Sequence, residues 1–141
     1  MAREAALQAL ARRLGPRARP NEAMARYTAM RVGGPAALLI VCDSVREVCN
    51  AVASANELDV PWLVLGGGCN VLVADAGLPG VFVVVNRAST IRFAPAAGAE
   101  PNDGWERELP ADAARAEAGA QIALLARGAV ERGLAGLEWA T

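Results

Sequence analysis

Two short apolar runs, "AALLIVC" at 36–42 and "PWLVL" at 61–65, are separated by about one helix of chain. This arrangement constrains the fold more than any other feature. The linking stretch opens with Ser44 and Glu47, a capping-box pair, and carries Val45, Val48, Cys49 and Val52 on one expected helical face, ending near Leu58. Strand, helix, strand is a βαβ unit. A crossover of this length makes the two strands parallel, and 36–42 and 61–65 are read as neighbours.

Flanking elements follow from the same rules. "AREAALQALARRLG" places Ala6, Leu7, Leu10, Ala11 and Leu14 at helical spacing, and Gly15-Pro16 stops it. "PRARPNEAMARYTAM" has two prolines and no period, and reads as a loop or arm. "MRVGGPA" is a turn. "VLVAD" and "GVFVVVN" read as strands joined by "AGLPG", and "TIRFA" (90–94) as another. Residues 95–110, with Trp105, read as an exposed loop. "ARAEAGA" (114–120) is a candidate strand. The helix in "QIALLARGAVERG" turns Ile122, Leu125, Ala126, Ala129 and Val130 to one side, with Gly133 as its cap.

Between "PWLVL" and "VLVAD" stand Gly66, Gly67 and Gly68. A bare backbone here has two readings. It is a tight strand connection, or a nest whose successive N–H groups face one anion that a Cβ would hold away. A dinucleotide fingerprint of the GxGxxG kind does not fit. Val71 takes the third glycine's place and the next segment reads as a strand.

Absences narrow the chemistry. The chain has no His, which removes Ser-His-Asp, Cys-His and His-metal sites within it, and no Lys, since all 14 basic residues are Arg. A P-loop and a Schiff base both need that Lys. A net charge of −1 argues against nucleic acid or a polybasic membrane surface as partner. Cys42, Cys49 and Cys69 match no zinc spacing and suit a reducing compartment. No apolar run suggests a signal peptide or membrane span. Arg31 is a candidate phosphate contact or a surface Arg. Tyr27 is a candidate stacking ring or packing, and Cys69 a candidate reactive thiol without an electropositive neighbour in sequence. Glu138 is a candidate base lacking a partner carboxylate.

In order, "YTAMRVGGPA", "VPWLVLGGGCNVLVADAGLPGVFVVVN" and "AEAGAQIALLARGAVERGLAGLEWAT" resemble the UDP-N-acetylenolpyruvoylglucosamine reductase family, from about residue 20 onward. The family pattern is close to Y-T-T-F-R-[IV]-G-G-P-A, G-G-G-S-N-[LV]-L and G-L-x-G-[LM]-E. The resemblance implies an α+β, two-lobed FAD-binding domain of the PCMH type. Residues 1–19 would form a helix and arm, 20–69 a first lobe containing the βαβ unit, and 70–141 an incomplete second lobe. It implies that Gly66, Gly67, Gly68, Cys69, Asn70 and Val71 form the FAD pyrophosphate loop, with the Asn70 side chain holding it, and that Gly119 also contacts the cofactor. NADPH would be the hydride donor and a UDP-sugar the small-molecule substrate. The setting would be cytoplasmic peptidoglycan synthesis, and with it cell shape and division. The full-length protein would be a monomer, and this portion would be prone to self-association.

Three departures stand out. Cys69 replaces the usual Ser, and Met30 the usual aromatic. A second glycine-rich flavin loop, and the Arg, Ser and Glu that serve the substrate, would follow Thr141. No catalytic residue is therefore expected within the chain, which reads as an inactive piece or a truncated gene product. The alternatives are the FAD-binding lobe of a related flavin oxidase or dehydrogenase, or a non-catalytic remnant.

Overall fold

The computed structural model describes residues 2–94, 109–110 and 112–140. The chain divides into two compact units, 1–88 and 89–141. In the first, helix α1 (Ala2–Leu14) is followed by a 3₁₀ turn and strand β1 (Arg19–Ala23). Then come β2 (Pro35–Cys42), α2 (Val45–Glu57), β3 (Trp62–Leu65) and β4 (Leu78–Asn86). The sheet order is β1-β2-β4-β3, with β1 antiparallel to β2 and the other pairs parallel.

The βαβ unit is present, but β2 and β3 are not neighbours. Strand β4 lies between them, pairing Leu38–Val41 on one side and Trp62–Leu65 on the other through Phe82–Val85. "VFVVV" is apolar at every position, and a strand buried on both faces belongs at the centre of a parallel sheet. The two compact units divide at 88/89, and β4 is integral to the sheet of the first.

Side-chain alternation divides the core between the two faces. Leu38, Ile40, Cys42, Phe82 and Val84 meet Leu10 of α1 and Ala51 and Ala55 of α2. Leu39, Val83, Val85 and Leu65 meet Met24 and Val73 on the other face. The buried face of α2 is offset from the one expected. Val45 and Cys49 are exposed, and Ala51, Ser54 and Ala55 are buried. Small side chains there let the helix approach the sheet closely.

Two segments differ from expectation in kind. The arm read at 16–30 includes β1, where Pro20 pairs with Leu38. A proline is tolerated because β1 is an edge strand. "VLVAD" is not a strand. Residues 71–74 are irregular and lead into a turn, with Val73 buried and Leu72 exposed.

Arg17 ties the start of the sheet to the start of α2. Its guanidinium donates to the Glu47 carboxylate at 2.6 and 3.1 Å and to the Val41 carbonyl at 2.6 Å. Ser44 caps α2 by accepting from the Glu47 N–H at 3.3 Å, while Glu47 accepts from the Asp43 N–H at 2.9 Å. The Arg17 hydrogen bond and then the Asp43 N–H hold the Glu47 carboxyl at about 2, below its usual 4.5. A carboxyl depressed on folding contributes stability above its unfolded pKa and loses it as pH falls through the folded one. The advantage of wild type over Glu47→Gln in melting temperature should therefore be full above about pH 4.5 and shrink toward pH 2. A gap that stays constant across that window would show that the pair does not set the acid response.

The second unit holds the antiparallel pair β5 (Ile91–Phe93) and β6 (Ala114–Ala116), then α3 (Ile122–Val130). Gly133 caps α3 as expected, at φ +68. Its N–H reaches the Val130 carbonyl at 3.0 Å, and the Leu134 N–H reaches Ala129 at 2.9 Å. Ala126 and Ala129 are buried, whereas Ile122 and Val130 are exposed. Gly128 leaves room for the Phe93 ring, whose Cζ would lie 2.6 Å from a Cβ there. The expected loop around Trp105 lies outside the described residues, apart from Leu109 and Pro110. Among the described residues, no helix is long and apolar enough to cross a membrane.

Candidate functional site

The glycine loop leaves the end of β3 and lies against the segment 27–34. Two contacts fix it there: the Ala29 N–H donates to the Gly68 carbonyl at 3.0 Å and the Gly34 N–H to the Ala74 carbonyl at 3.0 Å, and the Gly77 N–H closes a turn onto the same Ala74 carbonyl at 2.8 Å. Val71 packs at the edge of the core layer containing Leu39 and Val83, and Val73 is buried within it. The loop is therefore anchored on both sides of its exposed tip.

The glycines have different reasons for lacking a side chain. Gly68 is buried at φ +68, and a Cβ on it would overlap the Tyr27 carbonyl oxygen and sit 3.0 Å from Thr28 Cα. The fold itself needs that glycine. Gly67 is exposed, and a Cβ there would meet only Cys69 Sγ, at an ordinary 3.6 Å. Nothing described in the protein requires Gly67 to be bare. Gly68 therefore fits the tight-turn reading, and Gly67 beside it faces unclaimed space.

Hydrogen-bond donors at the tip are free. Among the described residues, none accepts from the main-chain N–H groups of Gly67, Gly68, Cys69 or Asn70. Successive unpaired N–H groups on an exposed loop are a ready anion cradle. Cys69 is exposed, with its thiol 3.8 Å from the Gly67 carbonyl, a weak contact. The Asn70 side chain is exposed and makes no hydrogen bond among the described residues. The Tyr27–Ala29 segment and the buried valines anchor the loop on either side of it.

Tyr27 belongs to a polar cluster. Its hydroxyl donates to Glu22 at 3.0 Å and accepts from Arg19 at 2.7 Å, and Arg26 reaches Glu22 at 3.3 Å. Burial first, then the Glu22 hydrogen bond, pushes the Tyr27 hydroxyl above its ordinary value. Its ring packs against the Met24–Val83 layer, which is the packing role. Arg31 is exposed at φ +55, two residues beyond the Ala29 contact. Gly119 falls in a turn of the second unit, after β6. The Glu138 side chain lies outside the described residues. A groove of about 700 Å³ between α1, β1 and the start of β4, lined by Leu7, Ala11, Asn21, Leu38 and Pro79, contains no glycine-loop residue.

No family model matches the chain. Similar proteins are found along nearly all of it. UDP-N-acetylenolpyruvoylglucosamine reductase of Rubrobacter xylanophilus is 43% identical over 129 residues, covering 92% of this chain and 38% of the relative. The proteins of that name from Geotalea uraniireducens and Heliobacterium modesticaldum are 35% and 34% identical, over 84% and 85% of this chain. The chain thus spans about one third of the length of the curated relatives it matches. The family resemblance carried by the three motifs is borne out by these proteins.

Proposed function

We propose that this chain is the amino-terminal, FAD-binding portion of a UDP-N-acetylenolpyruvoylglucosamine reductase, a cytoplasmic flavoenzyme of peptidoglycan synthesis. The observation that carries the reading is the row of unpaired N–H groups from Gly67 to Asn70, beside the open Cβ space of Gly67. The relatives' name supplies the reaction class, and the loop supplies a place for the cofactor's charge.

The residues present fit the group. A diphosphate needs several donors within one short stretch, and backbone N–H groups deliver them without a bulky side chain. Gly67 leaves room for the close approach, and Gly68 keeps the turn against Tyr27. Cys69 and Asn70 contribute their main-chain N–H groups, and Val71 and Val73 root the loop in the core. Fixing this loop before the ligand arrives saves ordering cost on binding. When bound, FAD would take a hydride from NADPH and deliver it to the enolpyruvyl double bond of the UDP-sugar substrate. Groups that align that substrate and supply its proton would belong to the part of the relatives that this chain does not span.

The test is FAD titration by flavin fluorescence, with inorganic pyrophosphate as competitor. Gly67→Val should leave the melting temperature unchanged within about 2 °C. It should weaken FAD at least about tenfold, because losing one hydrogen bond to a charged group costs about 1.5–3 kcal/mol. Equal affinity in the two proteins would leave the loop as a turn only.

A further inference from the structure

Arg31 occupies an unusual position. Among the described residues, three that are not glycine have left-handed φ values: Asn21 at 52°, Asp59 at 51° and Arg31 at 55°. Asn and Asp visit this region readily, because their short polar side chains bond locally, whereas a long side chain is held there against a steric cost. Such an outlier persists only where the surroundings impose it. Here the Arg31 N–H closes a turn onto the Thr28 carbonyl at 3.1 Å, and the Thr28 hydroxyl bonds the Val32 carbonyl at 2.8 Å. The turn is therefore locked on both sides of Arg31.

That turn is the one the glycine loop rests on. Ala29 bonds Gly68, and Thr28 Cα is among the atoms that a Gly68 Cβ would strike. Four of the eight other arginines of the first unit are committed elsewhere. Arg13 pairs with Glu57, Arg17 with Glu47, and Arg19 and Arg26 with Glu22. The Arg31 side chain is exposed and has no hydrogen bond or ion pair among the described residues. Its neighbours Met30 and Val32 are exposed apolar residues, 63% and 42% accessible, and they bring no carboxylate that would neutralise it.

We propose that Arg31 is a diphosphate-binding residue that supplies the counter-charge the glycine loop lacks. Backbone N–H groups offer direction but only partial charge, and a diphosphate carries more than they balance. A guanidinium presents paired donors that match phosphate oxygens. The locked turn holds Arg31 two residues from the Ala29–Gly68 contact, and no intramolecular partner among the described residues competes for its side chain. The inference rests on the FAD reading above and adds a side chain to a site otherwise made of backbone.

The experiment compares wild type, Arg31→Asn and Arg31→Lys, titrated with FAD and with inorganic pyrophosphate at low and high salt. Asn suits the left-handed backbone and removes the charge, and Lys keeps it. The expected result is FAD affinity at least about tenfold weaker in Arg31→Asn, with a flatter salt dependence. Arg31→Lys should retain most of the affinity and the salt dependence, and no melting temperature should fall. Wild-type binding with Arg31→Asn equal to it at both salt concentrations would overturn the role of Arg31 and leave the loop reading standing. A Lys variant as weak as Asn would also overturn it, because the charge would not be the active element. Failure of wild type to bind FAD or pyrophosphate would overturn the loop reading and this inference together.

Discussion

Gly68→Ala is expected to cost the first unit about 2–5 kcal/mol. Two effects add. An L-residue held at φ +68 loses about 1–2 kcal/mol to the clash of its Cβ with the backbone. That Cβ also overlaps the Tyr27 carbonyl oxygen, and forcing atoms into a filled site costs about 1–3 kcal/mol more. Both clashes are with main chain, which cannot swing aside as a flexible side chain can. Against a typical total of about 5–15 kcal/mol, this is a large fraction. Thermal and urea unfolding followed by circular dichroism would measure it. A melting temperature within about 2 °C of wild type would show that the Tyr27–Ala29 segment can retreat, and that the loop is not pinned as described.

The contrast with Gly67 gives that measurement its functional meaning. The same type of residue, one position earlier, faces open space and an ordinary 3.6 Å contact with Cys69 Sγ. A substitution at Gly68 reads the fold, and one at Gly67 reads the ligand. If both unfold the protein, the loop is a structural turn throughout. If only Gly68 does so and Gly67→Val loses FAD, the two roles are separated by a single residue.

Local signals were legible wherever the determinant was local. Ser44 and Gly133 cap their helices as the sequence indicates, and Gly15-Pro16 ends α1. What sequence reasoning missed depends on tertiary competition. β4 takes the centre of the sheet because Phe82 to Val85 are apolar on both faces, and adjacency in sequence between β2 and β3 yields to that burial. "VLVAD" alternates like a strand. Yet Val71 and Val73 serve as plugs beneath a loop, and the main chain around them bonds to the Gly34 turn rather than to a strand. β1 escaped because Pro20 is a strand breaker everywhere except at an edge. The face of α2 was misplaced because valines mark hydrophobicity more strongly than Ala51 and Ala55, whose small size brings helix and sheet together. At the site, the motif identified the glycine loop, but only geometry distinguished Gly67 from Gly68. Arg31 was visible in the sequence as a candidate phosphate contact, but its left-handed backbone angle and locked turn are legible only in the structure.

Gly34→Ala should be as damaging as Gly68→Ala, for a different reason. Gly34 is not at a left-handed φ, so the penalty is purely one of space. A Cβ there would overlap the Asp75 carbonyl oxygen and lie 2.6 Å from both the Asp75 carbonyl carbon and the Gly77 nitrogen. Gly77 is pressed in return against Pro35, whose nitrogen would be 2.6 Å from a Gly77 Cβ. The "VGGPA" turn and the "VADAG" turn are thus interlocked, main chain on main chain, and the Ala74 carbonyl accepts from both Gly34 and Gly77. Separating them strains or breaks the Gly34–Ala74 bond and the neighbouring Met24–Gly34 bond at 3.1 Å. With about 1–3 kcal/mol for overpacking and about 0.5–1.5 kcal/mol for each of the two bonds, the expected cost is about 2–6 kcal/mol. Gly15→Ala is the control. It has a positive φ of +69 but nothing within 4 Å of its Cβ, so only the backbone penalty of about 1–2 kcal/mol applies. Because the interlock supports the far end of the glycine loop, Gly34→Ala should also weaken FAD under conditions where the variant remains folded, and Gly15→Ala should not. A Gly34→Ala unfolding midpoint equal to that of wild type would mean that the turns can part without cost. The two motifs would then share a neighbourhood without holding one another in place.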